Sequence, residues 1–271
     1  MSTRSPSTMP TFYIPHGGGP CFFMDWDPPE LWRGMEAFLR ALPAQLPARP
    51  RAVVVISAHW QAPQFTVTGA ARHELLYDYY GFPPHTYQLR YPAPGSPELS
   101  QQVLHWIEEA GIEGALDTTR GLDHGVFIPL KVIFPEADLP VLALSLQQGR
   151  DSRAHLELGR SLRPLRDQGV LLLGSGMSFH NMRAYGQPAY EAASRTFDDW
   201  LTATMEGDPA ARDRALLHWD QAPAARQAHP EGEDEHFTPL LVAAGAAEGG
   251  RGQRVYAEQL LYSHISAYRF D

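Results

Sequence analysis

The chain has 271 residues, of which 44% are hydrophobic and 20% are charged, and its formal net charge is −9. This composition is typical of a globular protein, and the acidic charge argues against a nucleic-acid partner, which needs a basic face. The apolar runs are far shorter than the roughly 20 residues of a membrane span, so we expect no membrane partner either.

The N-terminal segment and the cysteine content bear on location. Residues 1–10 are polar and lack the apolar stretch that a secretory signal contains. A lone cysteine, Cys21, cannot form an internal disulfide and suits a reducing compartment. We therefore predict a cytoplasmic protein, with a disordered tail over residues 1–10 and one domain over residues 11–271.

Strands and helices alternate in the predicted order of elements. The first half contains a strand at 11–14, a helix at 29–42, strands at 53–56 and 65–68, an aromatic loop at 76–97, a helix at 97–110 and a short apolar helix that ends at 132. The second half contains a strand at 141–146, a helix at 153–167, a strand at 170–173, helices at 191–205 and 209–219, an acidic loop at 221–235, a helix at 237–247 and strands at 254–261 and 265–270. This alternation predicts an α/β fold with helices on both faces of a sheet.

Three of the predicted strands lead into a histidine. His16 follows the first strand, His59 follows the strand at 53–56, and His180 follows the strand at 170–173. In open α/β sheets, ligands bind in the crevice beyond the carboxyl ends of the strands, so we expect these three side chains to share one site. Because neutral imidazole is the commonest protein metal ligand, their convergence predicts a metal site.

Two further histidines are candidates for the same site. His124 lies in an Asp-His-Gly turn, where Asp123 is a candidate partner for its ring. His236 lies between the acidic loop and the last predicted helix. Imidazole ligands suit zinc, iron, copper or nickel rather than magnesium or calcium. A site with open positions can activate water on zinc or use O₂ at ferrous iron, and the residues alone leave these chemistries open.

Tyrosines are concentrated in the loop over residues 76–97. Aromatic rings pair well with one another through their faces and edges, so this loop is a candidate wall for an aromatic substrate. A role limited to covering the edge of the sheet is an equally open interpretation.

Several motifs resemble those of a known family. They include IPHGGGP (14–20), SAHW (57–60), GFP (81–83), GLDHG (121–125), HNMR (180–183) and EHFTPL (235–240). The chain resembles the class III extradiol ring-cleavage dioxygenases, the LigB-like family, and within it the 4,5-DOPA dioxygenase extradiol-type branch. The motifs occur in the family's order from residue 11 to about residue 247.

The resemblance implies a fold and a set of site residues. It implies a three-layer α/β/α domain with a mixed, mainly parallel central sheet, and a mononuclear site that uses Fe(II) and can also hold Zn(II). His16, His59 and His236 would be the metal ligands, although the acidic insert before His236 makes Glu233 or Glu235 an alternative third ligand. His180 matches the acid/base histidine and can approach the metal as a further ligand, and His124 matches a histidine that contacts substrate or oxygen.

The reaction implied is extradiol cleavage of a catechol, similar to DOPA or caffeate, by O₂. Two other interpretations stay open at this point: a zinc-dependent hydrolase, and a non-enzymatic protein that binds a metal or a partner on the same scaffold. The sequence does not fix the oligomeric state.

Overall fold

A mixed eight-stranded sheet forms the centre of the molecule, of which the computed structural model describes residues 8–271. The strands are β1 (Thr11–Pro15), β2 (Ala52–Ala62), β3 (Phe65–Thr68), β4 (Gly114–Asp117), β5 (Val141–Gln147), β6 (Val170–Gly176), β7 (Gly252–Leu260) and β8 (Ser263–Phe270). Their order across the sheet is β4-β3-β5-β2-β6-β1-β8-β7. The central strands β5, β2, β6 and β1 run parallel, whereas β8 and β3 join them antiparallel. The predicted mixed, mainly parallel sheet is confirmed.

Helices cover both faces of this sheet. They are α1 (Arg33–Ala41), α2 (Pro97–Glu109), α3 (His124–Ile133), α4 (Ser152–Leu162), α5 (Pro164–Asp167), α6 (Glu191–Glu206), α7 (Pro209–Leu216), α8 (Ala225–Ala228) and α9 (Thr238–Ala246). Successive side chains of a strand point to opposite faces, and β2 shows the result. Val53 and Val55 join the core that contains α1, α3 and α6, while Val54 and Ile56 join the core that contains α2 and α4. The predicted three-layer α/β/α domain is therefore confirmed.

Three local features differ from the predicted elements, and two of the differences have simple causes. The predicted helix at 153–167 is divided into α4 and α5 because Pro164 has no amide hydrogen to continue the helical ladder. The short edge strand β4 pairs with β3 and was not predicted, since its residues are only half-buried and lack a continuous apolar run. The acidic loop at 221–235 contains one helical turn, α8.

The predicted tail over residues 1–10 lies mostly outside the described residues. Within the described part, Met9 is buried, and its carbonyl oxygen accepts a hydrogen bond from the buried guanidinium of Arg166 at 2.7 Å. Among the helices of the described chain, none is long and apolar enough to cross a membrane.

Candidate metal centre

Three histidines meet at one edge of the sheet. His16 directly follows β1, His59 lies in β2, and His236 lies just before α9. One ring nitrogen from each lies within 4.8 Å of the others, and the Nε2 atoms of His16 and His59 are 3.1 Å apart. In sequence His236 is far from the other two, so only the fold brings the set together. The arrangement can supply three nitrogen ligands to one metal ion.

The strand that carries His59 is longer than predicted. β2 continues to Ala62, and its pairing with β5 shifts register between Ile56 and Gln61. The prediction that the strand ends before His59 is therefore wrong. A bulge of this kind redirects a side chain without ending the strand. Here the Ser57 hydroxyl accepts a hydrogen bond from the backbone N–H of His59 at 3.1 Å and helps to hold the irregular segment.

Hydrogen bonds at Nδ1 determine which nitrogen of two rings is free. The Ser175 hydroxyl donates to the carbonyl oxygen of Gly125, so it accepts from the Nδ1–H of His16, 3.0 Å away. The Glu235 carboxylate lies 2.9 Å from Nδ1 of His236 and can only accept when ionised. Both rings therefore carry their proton on Nδ1 and direct the Nε2 lone pair toward the common site.

The backbone around His236 is packed against β1 and β6. Its carbonyl oxygen accepts hydrogen bonds from the Tyr13 hydroxyl at 2.6 Å and from the Met177 N–H at 3.2 Å. A Cβ added at Gly176 would lie 2.0 Å from the same oxygen, so only glycine allows this approach. The two neighbouring strands thus hold the third histidine in place.

His124 has a different partner from the one predicted. Its Nδ1 lies 2.9 Å from Oδ1 of Asp78, which also accepts the His124 backbone N–H at 2.9 Å. Asp123 instead accepts hydrogen bonds from the Ser57 hydroxyl at 2.6 Å and from Arg120 at 3.2 Å. The predicted pairing of Asp123 with the His124 ring is wrong because the Asp123 side chain is directed toward β2.

Asp78 is the residue near the site that sequence reasoning missed. It belongs to the aromatic loop, and its second oxygen lies 3.7 Å from Nδ1 of His59. Burial alone would raise the pKa of Asp78, but the hydrogen bond and the charge of His124 outweigh it, so the pKa lies below its ordinary value. The one available signal in the sequence is an acidic side chain among the tyrosines of that loop.

His180 lies against the three-histidine group. Its ring stacks on the His236 ring with the centroids 3.4 Å apart. Its Nδ1 is buried without a hydrogen-bond partner among the described residues and lies 3.8 Å from a Glu235 oxygen. His180, Glu235 and His236 form a second group whose ligand atoms are close enough to hold a metal.

The two glutamates considered as alternative ligands lie in different environments. Glu235 is held between His236 and His180, and burial raises its pKa. Glu233 pairs with Arg183 at 3.5 Å, and nearly half of its side chain is exposed. Glu235 therefore lies at the site as a partner of His236, whereas Glu233 lies at the surface.

Burial keeps the site histidines neutral. It places the pKa values of His16 and His236 well below the ordinary value, and the neighbouring imidazoles add to the effect. Burial likewise lowers the pKa of His59 to about 3 and that of His180 to about 4. Neutral imidazole is the form that binds metals, so this donor set fits a divalent ion of the zinc or iron type.

A comparison with known proteins identifies the class to which this fold and site belong. Residues 10–270 match the family model described as the catalytic LigB subunit of aromatic ring-opening dioxygenase. The chain belongs to this family, and the predicted class of enzyme, an aromatic ring-opening dioxygenase that depends on a metal, is confirmed. Family membership favours this reaction over the zinc hydrolase and the non-enzymatic binding protein.

Particular relatives agree with this assignment. The chain is 36% identical over 282 residues to Dioxygenase tasH of Hapsidospora irregularis, covering 96% of this chain and 84% of the relative. It is 38% identical over 245 residues to 4,5-DOPA dioxygenase extradiol of Beta vulgaris, covering 88% of this chain and 86% of the relative. The crystal structure of uncharacterized protein JW3007 from Escherichia coli K12 superimposes with a TM-score of 0.77 at 27% identity, covering 97% of this chain and 100% of that one.

Proposed function

We propose that this chain opens the ring of a catechol by extradiol cleavage, with Fe(II) held by His16, His59 and His236. The observation that supports this proposal is the group of three neutral imidazoles, two buried and one half-buried, whose ligand nitrogens lie within 4.8 Å of one another. Relatives named 4,5-DOPA dioxygenase extradiol support a catechol as the substrate. In the reaction, a carbon–carbon bond beside the diol breaks and both atoms of O₂ enter the product.

When bound, ferrous iron supplies the one-electron chemistry that allows a catechol to react with O₂; Zn(II) can occupy the same nitrogen ligands without supplying it. The Nδ1–H groups of His16 and His236 are engaged by Ser175 and Glu235. These contacts hold the rings in the tautomer that offers Nε2, so little reorganisation is needed when the metal binds.

His180 is the proposed acid/base residue. Its pKa of about 4 keeps the ring neutral at pH 7, so it can accept a proton from a substrate hydroxyl and return it later. Its stacking on His236 places this proton carrier beside a proposed ligand. His180 can also approach the metal as a further ligand.

His124 is the proposed residue that contacts substrate or oxygen. The Asp78 carboxylate engages its Nδ1, so Nε2 is the ring nitrogen left to contact substrate or oxygen. The His124 and His59 ring centroids are 3.9 Å apart, which keeps His124 next to the proposed ligands.

The test is O₂ uptake by protein reconstituted anaerobically with Fe(II) and offered catechols, including DOPA and caffeate. Iron-dependent uptake together with a yellow ring-opened product is expected. A zinc-loaded sample is the control and should consume no O₂. No uptake with any catechol, in protein shown to contain one iron per chain, would overturn the proposal.

A further inference from the structure

An apolar cavity opens beside the proposed acid/base residue. Its volume is about 160 Å³, similar to the ~150 Å³ of apolar cavities that take up benzene. His180 forms part of its wall, and the remaining large side chains of the wall are those of Trp32, Met177, Met182, Tyr185 and Leu261. The cavity therefore adjoins the group of histidines through His180, whose ring stacks on His236, and has room for about one aromatic ring.

The wall contains few polar side-chain atoms. Two of them, Nε1 of Trp32 and Nδ1 of His180, are buried without a hydrogen-bond partner among the described residues. The Tyr185 hydroxyl donates to the carbonyl oxygen of Phe179 at 2.8 Å, so this residue presents its ring to the cavity. None of the described residues that line the cavity is an aspartate, glutamate, lysine or arginine, so this wall offers a substrate no permanent counter-ion.

The outer part of the wall is apolar as well. Met182 and Leu261 both line the cavity and are 65% and 39% exposed. The two segments are tied together by a hydrogen bond from the Gly186 N–H to the Leu261 carbonyl oxygen, 3.0 Å long. A group attached to a ring in the cavity would meet these side chains before it reached water.

Arg183, the cationic residue next to Met182 in sequence, pairs with a surface glutamate. Arg183 follows Met182, but its side chain is 79% exposed and pairs with Glu233 at 3.5 Å. A substrate carboxylate near Met182 would have to draw Arg183 away from this pair. A charged group held inside the cavity would lose its hydration without gaining a partner, which is strongly unfavourable, so the cavity disfavours charged substituents.

From these observations we infer that the preferred substrate is a catechol whose ring substituent is uncharged and apolar. The inference rests on the proposed function and narrows it from catechols in general to one chemical class. Carboxylated and zwitterionic catechols, DOPA and caffeate among them, are then the poorer substrates. The apolar wall selects for dispersion contacts and desolvation rather than for ion pairing.

The test compares three catechols with side chains of similar size: 4-propylcatechol, 3-(3,4-dihydroxyphenyl)propanoate and the methyl ester of this acid. With the iron-reconstituted full chain, kcat/KM from O₂ uptake should be at least about tenfold higher for the two uncharged compounds, because only the acid must lose the hydration of a charge. Calorimetric titration of the zinc-loaded protein should give the same order of affinity without turnover.

A pair of variants in one turn provides the control. Leu261→Arg places a cation on the cavity wall and should raise the acid-to-ester ratio of kcat/KM by at least about tenfold, because the carboxylate then has a partner. Tyr262 is the next residue, has the same left-handed backbone conformation and does not line the cavity. Tyr262→Arg should therefore leave the ratio unchanged.

The outcomes separate the inference from the proposed function. Turnover with equal or greater kcat/KM for the acid would overturn the inference and leave the dioxygenase proposal intact. A ratio that responds equally to Leu261→Arg and Tyr262→Arg would also overturn it, since the cavity wall would not be the selecting surface. Absence of turnover with all three catechols, while DOPA or caffeate is turned over, would overturn the inference alone; absence of turnover with all five would overturn both.

Discussion

The hydrogen bond between Ser175 and His16 offers a direct test of how the metal centre is organised. Both side chains are fully buried. Ser175→Ala would leave the Nδ1–H of His16 without its acceptor at 3.0 Å and the carbonyl oxygen of Gly125 without its donor. The ring would then lose its preference for the tautomer that offers Nε2 to the metal.

The expected loss of metal affinity follows from the role of such supporting contacts. Removing the partner of a ligating histidine costs about 10–100-fold in affinity, which corresponds to about 1.4–2.7 kcal/mol of binding free energy. The measurement is Zn(II) affinity by competition with a chromophoric chelator at pH 7. Unfolding in urea, followed in parallel, should show a loss of about 1–3 kcal/mol for each buried group left unpaired.

Ser178→Ala is the matched control. Ser178 is also buried at the end of β6, but its hydroxyl accepts from the backbone N–H of Ser266 at 2.8 Å. This variant should lose a similar amount of stability and keep its Zn(II) affinity. Equal affinities for Ser175→Ala, Ser178→Ala and the unaltered chain would refute the assignment of His16 as a ligand supported by Ser175.

Three further comparisons test separate parts of the molecule. His59→Ala should abolish stoichiometric metal binding, whereas His180→Ala should keep the metal and lower kcat by about 10²-fold, as is typical for loss of a general acid/base. Metal content and O₂ uptake distinguish the two variants. Full activity of His180→Ala would contradict the proposed role of His180. Burial lowers the pKa of His155 to about 4, against 6.5 for the ordinary group, so between these pH values the unfolded chain binds more protons than the folded chain. The folded chain should therefore lose stability as the pH falls from 6.5 to 4, and in His155→Leu this loss should be smaller by about 3 kcal/mol. Urea unfolding at each pH measures the difference. Gly176→Ala would place a Cβ 2.0 Å from a backbone oxygen, whereas the Cβ of Gly18→Ala would meet its nearest atom at 3.6 Å. Urea unfolding should show a loss of about 1–3 kcal/mol in the free energy of unfolding for Gly176→Ala and little change for Gly18→Ala.

The convergence of the strand-end histidines could be predicted from sequence because it follows from strand direction. Apolar runs lead toward His16 and His59, and parallel strands direct their carboxyl ends to one edge of the sheet. The register shift within β2 could not be predicted, since it depends on the pairing of residues 56–61 with β5. The sequence therefore predicts the edge of the sheet at which His59 lies, but not the orientation of its ring.

The hydrogen bonds that support the site histidines depend on tertiary packing, which no local sequence pattern predicts. Asp78 and His124 are separated by 46 residues and meet only because the aromatic loop lies over the start of α3. Asp123, adjacent to His124 in sequence, was the natural expectation, yet its side chain is directed to Ser57. No strand leads into His236, so strand direction does not place it at this edge; it was a candidate by its position before the last helix, and the motif resemblance implied its role as a ligand.

The position of Asp78 has a consequence for attempts to re-engineer this protein. One carboxylate joins the aromatic loop to His124 and lies 3.7 Å from His59, so the loop is part of the scaffold of the metal centre. Exchanging the loop for one from a relative would therefore disturb metal affinity unless an acidic residue were grafted at the same position. Directed changes of selectivity are safer at Met182 and Leu261, which line the apolar cavity and make none of the Asp78 contacts.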